Sequence, residues 1–301
     1  MTASQAYSVC RTIAKREAKN FYYAFRVLPQ HKSDAMCAVY AFMRKADDIS
    51  DDESMPIDER REVMRQWVDA WREARRSGAT DDPVFFALND TQKKFAIPDD
   101  LLEELVQGTT MDLEPRAGGA DEVQTCADFA ELYRYCYLVA SVVGLVCIRI
   151  FGYTDKRAEK LAEETGIAFQ LTNILRDVKE DVERGRVYLP LDMMAAHGVT
   201  VERVKELAAG SAMEDNDRAL LDEVAAKAEE YYGSANELMP LIDADSRAAL
   251  WVLAMIYYDL LMQIRAKKCD VFSSRVRVPT SGKLVLLVRG AVMAMRNRRA
   301  S

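Results

Sequence analysis

Histidine is nearly missing from this chain: His31 and His197 are the only two in 301 residues. That scarcity argues against zinc chemistry and against a nucleophile activated by histidine. No Cys-x-x-Cys pair occurs among Cys10, Cys37, Cys126, Cys136, Cys147 and Cys269. They read as buried free thiols of a reducing compartment. Basic residues are not in excess. The net charge is −7, so nucleic acid is not expected as a partner. No glycine-rich dinucleotide fingerprint occurs. No sustained period-two alternation bounded by turn pairs is present, so no sheet is expected. The longest apolar stretch, Tyr135 to Ile148, falls short of the roughly 20 residues that a bilayer span needs, and reads as a core helix. No leader is expected either, because Met1 to Arg16 is polar and already helical in period. The expected location is cytoplasmic.

Proline is sparse too, and none falls between Pro115 and Pro190. That gap leaves room for two long helices, near 125–151 and 155–184, broken at Phe151-Gly152-Tyr153. Further helices are expected near 3–27, 32–52, 57–77, 83–96, 99–113, 201–209, 215–238, 245–271 and 281–298. Ser33-Asp34 and Thr154-Asp155 read as caps. Pro98-Asp99-Asp100 places a proline and then two acids at a first turn, which suits the helix dipole. Asp52–Asp58, Ser77–Asp82 and Pro115–Thr125 read as flexible. None looks like a linker, so residues 1–301 are expected to form one domain with a large core.

What is present is a repeated acid pair. Asp47 and Asp51 stand four apart after Arg44, and Asp177 and Asp181 stand four apart after Arg176. On a helix each pair shares one face, where two carboxylates repel unless a cation lies between them. Each pair also ends an apolar run, Ala35–Met43 before the first and Gly166–Leu175 before the second. A bare acid pair at the end of a buried stretch is costly. Mg²⁺ accepts hard oxygen ligands and shares them with phosphates, so the twin pairs point to a diphosphate site. Single acid pairs are usually solvated faces, and it is the coincidence of two that argues otherwise.

The neighbouring residues carry a resemblance. Lys19–Phe25 (KNFYYAF), Tyr40–Asp48 (YAFMRKADD), Tyr135–Ala140 (YCYLVA), Gln170–Asp181 (QLTNILRDVKED) and Arg184–Pro190 (RGRVYLP) resemble, in order and spacing, the squalene/phytoene synthase family. The match covers roughly residues 10–290. The resemblance implies an all-α isoprenoid synthase fold, one helical bundle around a central cavity with the two acid motifs facing each other across its mouth. It implies head-to-head condensation of two allylic prenyl diphosphates, farnesyl or geranylgeranyl, through a cyclopropylcarbinyl diphosphate. The product is then a C30 or C40 isoprenoid: phytoene, squalene, dehydrosqualene or presqualene diphosphate. Mg²⁺, or Mn²⁺ in its place, is the implied cofactor, and NADPH is needed only for squalene.

By carry-over, Asp47, Asp51, Asn173, Asp177 and Asp181 are metal ligands. Arg44 and Arg176 are diphosphate clamps, and Tyr40 and Tyr135 face the cationic intermediates. Phe21, Phe25, Gln170, Arg186, Tyr188, Tyr257, Arg275 and Lys283 are implied at the substrate. Ser141 stands where the family commonly has glycine, and Asn20 where serine is frequent. Two other readings compete. One is a class I terpene cyclase acting on a single diphosphate, disfavoured by the near-twin spacing. The other is a non-catalytic relative serving as an assembly factor, disfavoured because no motif acid is lost. The basic amphipathic stretch 281–299 reads either as a helix docked on the core, the favoured reading, or as a peripheral membrane contact. A monomer is expected.

Overall fold

Thr2 opens the first helix with a capping box: its hydroxyl accepts from the Gln5 amide, and the Gln5 side chain accepts from the Thr2 amide. The computed structural model describes residues 1–18, 21–113 and 123–300. Helix α1 spans Ala3–Glu17 and a short α2 spans Phe21–Phe25, so the helix expected over 3–27 is two pieces. Lys19, Asn20 and residues 114–122, which take in most of the stretch Pro115–Thr125 expected to be flexible, lie outside the described residues. Helix α3 runs Gln30–Ser50. Its N-cap is Pro29 and not Ser33-Asp34, because the Ser33 amide already bonds the Pro29 carbonyl at 2.9 Å. Helix α4 (Ile57–Ser77) ends on Gly78 in the left-handed region. Asp82 caps α5 (Pro83–Phe95), and α6 (Asp99–Thr110) carries both acids in its first turn as expected.

The apolar middle of the chain forms α7 (Phe129–Cys136), a π-helical turn (Tyr137–Ser141) and α8 (Val142–Phe151). Together they make 23 continuous helical residues. This corrects the expectation drawn from Tyr135–Ile148: by length and composition both Phe129–Phe151 and Arg247–Ala266 are sufficient to cross a bilayer. Polar residues such as Glu131 and Arg134 hid the full length in the sequence. Both stretches are spent on the core and on a cavity wall. Helix α9 (Arg157–Glu183) starts just past Thr154-Asp155, and the Asp155 carboxylate accepts from the Arg157 amide at 2.9 Å.

A sheet exists where none was expected. Strand β1 (Gln124–Cys126) pairs in parallel with β2 (Arg186–Pro190), with Thr125 opposite Val187. The strands are too short to show an alternation, and Gly185, at φ 72°, turns the chain out of α9 into β2. Helices α10 (Leu191–Ala196), α11 (Val201–Ala208), α12 (Asp215–Leu238), α13 (Arg247–Ala266) and α14 (Thr280–Ala300) complete the chain. Of these only α10 was not foreseen.

Two apolar clusters divide the core. One gathers residues of α1, α3, α4, α5, α6 and α8; the other gathers α9, β2, α11, α12 and α13. Phe21 and Tyr137 pack against both. Close backbone approaches hold the π turn between its neighbours. A Cβ on Gly108 of α6 would lie 2.2 Å from the Leu138 carbonyl oxygen, and one on Gly166 of α9 would lie 2.5 Å from the Ser141 Cα. At one end Lys32, 7% exposed, bonds the Phe151 carbonyl and the Asp245 carboxylate, both at 2.7 Å, and the Ser246 hydroxyl at 3.1 Å. That one ammonium ties α3 to the α8–α9 turn and to the start of α13.

Candidate active site

Helices α3, α8, α9 and α13 each turn one stripe toward a shared cavity of about 310 Å³. On α3 the stripe is Met36, Val39, Tyr40, Met43, Arg44 and Asp47, which is helical spacing. On α9 it is Ala162, Thr165, Gly166, Phe169, Gln170 and Asn173. The cavity is apolar over most of its wall, with Phe151, Leu238 and Leu250 among its lining, and is polar where Arg44, Asp47, Gln170 and Asn173 meet. Of the residues proposed from sequence, it brings together Phe21, Phe25, Tyr40, Arg44, Asp47, Gln170, Asn173 and Tyr257. Tyr40 lies 6.3 Å from Phe21 and 6.5 Å from Phe25, ring centre to ring centre.

The α9 stripe continues past the cavity lining into a charged cluster. Asp177 accepts from Arg176 through both carboxylate oxygens, and from Arg275 at 2.7 Å. Arg275 also reaches Glu180 at 2.9 Å. Burial opposes ionisation of Asp177, but the hydrogen bonds and charge of Arg176, with the charge of Arg275, outweigh it and hold the carboxyl below its ordinary value. Asp181 behaves oppositely: burial and the neighbouring Asp177 push it up to about 7 against the pull of Arg186 and Arg184. Tyr135 stacks on Tyr188, centroids 4.4 Å apart, which joins α7 to β2 beside this cluster.

Several residues stand apart. Asp51 is the exposed C-cap of α3, its amide bonded to the Asp47 carbonyl, so burial gives no reason for a cation at that position. Lys283, half-buried in the first turn of α14, is outside the cavity lining. Among the described residues no three acids, thiols or imidazoles converge closely enough to hold a metal ion by themselves. The donor chemistry still suits a hard cation. The amide oxygen of Asn173 is buried and without a hydrogen-bond partner at the cavity edge, and the half-buried carboxylate of Asp181 is destabilised by its acidic neighbours. Arg44 pairs with Asp48 at 2.6 Å, and its Nε is buried without a partner.

The sequence reading missed Phe169. It lies four residues before Asn173 on the same face, and that spacing was the available signal. The lining by Val139, Ala140, Val143, Gly144 and Cys147 was also missed, because it depends on the π turn.

The squalene/phytoene synthase family model matches residues 14–282. Phytoene synthase of Mycobacterium bovis is 35% identical over 294 residues, 96% of this chain and 91% of that protein. The 15-cis-phytoene synthase of Synechococcus elongatus is 32% identical, covering 96% and 95%. Among solved structures, a dehydrosqualene synthase superposes with a TM-score of 0.83 at 29% identity, over 98% of both chains. Squalene synthase HpnC of Alicyclobacillus acidocaldarius shares the fold, with a TM-score of 0.77. The chain belongs to the squalene/phytoene synthase family. It has the isoprenoid synthase fold, and it is a prenyltransferase that condenses two prenyl diphosphates head to head into a C30 or C40 product. The relatives and the solved structure named first are phytoene and dehydrosqualene synthases, and not single-substrate cyclases.

Proposed function

We propose that residues 1–301 act as one domain that joins two geranylgeranyl diphosphates to phytoene, with Mg²⁺ as cofactor and without NADPH. The observation that carries this is a single cavity whose apolar wall runs up to Arg44, Asp47 and Asn173. The curated relatives at 35% and 32% identity are phytoene synthases. Asp47, Asn173, Asp177 and Asp181 would hold the metal, together with diphosphate oxygens; Asp51, exposed, would contribute through water. When bound, Mg²⁺ neutralises the charge that develops on diphosphate as the allylic C–O bond breaks.

The chain's own residues do the rest. Arg44, Arg176 and Arg275 offer guanidinium forks to diphosphate oxygens, and Arg186, Tyr188 and Lys283 extend that set. Phe21, Phe25, Gln170 and the apolar wall hold the prenyl chains and exclude water from the allylic cation. Tyr40, Tyr257 and Phe169 present ring faces to it. Burial first, and then the charge of Asp47, raise the Tyr40 phenol to about 12 against the pull of Arg44. It therefore stays protonated at neutral pH and acts through its face and its dipole. Tyr135, stacked on Tyr188, holds β2 against α7. The protein would work as a monomer in the cytoplasm, peripheral to a membrane.

The test is incubation with geranylgeranyl diphosphate and with farnesyl diphosphate, each with and without NADPH, followed by product analysis. Phytoene from the C20 substrate with Mg²⁺ alone is expected. A C30 product formed in preference from farnesyl diphosphate would overturn the chain length. In Asp47→Asn and Asp177→Asn, diphosphate release should fall about a hundredfold or more. Release at the wild-type rate would remove those two residues from the site.

A further inference from the structure

Helix α14 has two faces with different fates. Leu286, Gly290 and Ala294 point into the fold and are buried, and a Cβ on Gly290 would lie 2.3 Å from a methyl of Val252 on α13. Leu284, Val285, Val288, Val292 and Met295 point away and are each at least 39% exposed. At about 100° per residue these five fall within a single arc of roughly 100°. They are also five of the nine exposed large apolar side chains among the described residues. So the apolar surface left in water is concentrated on one helix face. The reading of 281–299 as a helix docked on the core describes the inner face, and leaves open what covers the outer one.

Charge says what covers the outer face. From Val271 to the end of the chain there are seven arginines and lysines and no acid. Against the net −7 of the whole chain, that leaves −14 on residues 1–270. Arg289 and Arg296, both exposed, flank the apolar arc along one edge. A second copy of the chain would set cation against cation across a two-fold contact. An anionic bilayer meets both halves of the pattern, apolar side chains below and guanidinium groups at the headgroups.

We propose that the outer face of α14 docks on an anionic lipid surface. The inference rests on the head-to-head reading only in its purpose, which is to deliver a water-insoluble hydrocarbon. Helix α13, on which α14 packs, lines the cavity with Leu250, Leu253 and Tyr257. The product cavity therefore lies one helix away from the lipid.

The test is co-sedimentation, without substrate, with vesicles of phosphatidylcholine alone and with vesicles of phosphatidylcholine and phosphatidylglycerol in equal amounts. Binding to the anionic vesicles is expected, weakened by added salt. Both Val288→Glu/Val292→Glu and Arg289→Gln/Arg296→Gln should lower it about tenfold or more. Equal binding to neutral vesicles, or undiminished binding by both variants, overturns the proposal. So does a dimer in sedimentation velocity that the valine variant dissolves, because a second copy would then cover the face. Diphosphate release from detergent-dispersed substrate, measured separately, should be unchanged in these variants. If the wild type itself releases no diphosphate, the synthase reading fails and the vesicle result still stands.

Discussion

The ring of Phe169 lies nearly flat against that of Tyr257, with centroids 4.6 Å apart and planes inclined by 11°. Phe169 comes from α9 and Tyr257 from α13, so two walls of the cavity meet in one aromatic platform. Tyr257 also meets Phe21, with ring centres 6.0 Å apart and planes inclined by 49°. A ring face in a site free of water stabilises a nearby cation by about 0.5–2 kcal/mol. Phe169→Leu keeps apolar volume and removes the face. It should lower kcat by about three- to thirtyfold with little change in KM, and steady-state kinetics of diphosphate release checks it. A rise in KM at constant kcat would assign Phe169 to substrate binding alone.

Lys32 ties α3 to the end of α8 and the start of α13. Its ammonium is buried and satisfied by one carbonyl, one carboxylate and one hydroxyl, with Asp243 a further 3.6 Å away. Lys32→Met should cost about 3 kcal/mol, because the Phe151 carbonyl and the Ser246 hydroxyl lose their donor and the acids lose their counter-charge. Thermal denaturation should show a midpoint lower by several degrees. A midpoint within a degree of wild type would mean that the three segments hold together without it.

Gly166 and Ser141 test the π turn. A Cβ on Gly166 would meet the Ser141 Cα at 2.5 Å and its amide nitrogen at 2.8 Å, both backbone atoms that cannot swing aside. Gly166→Ala should therefore destabilise by about 1–3 kcal/mol. Ser141→Gly alone should cost about 1–2 kcal/mol, since it loses the hydroxyl bond to the Glu163 carbonyl at 2.6 Å and adds a flexible residue. It should not rescue Gly166→Ala, because the clash is with the main chain. Chemical denaturation of the two single variants and the double variant decides this.

Burial pushes the thiols of Cys10, Cys37, Cys126 and Cys147 up to about 12, and that of Cys269 to about 11, from an ordinary value near 9. Folding thus favours the protonated thiol. The stabilisation is complete below about pH 9 and is lost as pH rises through 9 toward 12. Stability should be flat from pH 7 to 8.5 and then fall steeply. In the folded protein at pH 8, thiolate-directed reagents should react slowly with all five, and after unfolding react fast. A stability maximum above pH 10 would contradict the burial of these groups.

The sequence was most legible where one helix does one thing. The acid pairs, their apolar run-ins and the arginines beside them are local, and α9 follows from the proline-free stretch and the break before it. What escaped depends on partners far away in the chain. Strand β2 exists because residues 124–126 lie beside it, and neither strand is long enough to announce itself. Asp51 was expected to share a helix face with Asp47, yet α3 ends at Ser50 and leaves Asp51 in water as its C-cap. Lys32 looked like any helical lysine, since the groups it binds lie more than 100 residues away. The clash positions of Gly108 and Gly166 cannot be read without the carbonyl and the Cα that approach them.

The π turn at Tyr137–Ser141 has a consequence for chain length at that point. A π turn is an α-helix that has taken in one extra residue, and each residue is worth about 100° of rotation. Upstream, Tyr135 meets Tyr188; downstream, Val143 and Cys147 face the cavity. The wider turn absorbs that residue, so the two ends keep the phase of a regular helix one residue shorter. Forcing 137–141 into a regular α-helix of the same length would leave composition and hydropathy untouched and swing one end about a quarter-turn out of step with the other, whereas deleting one of the five residues would let a regular helix keep both ends in step.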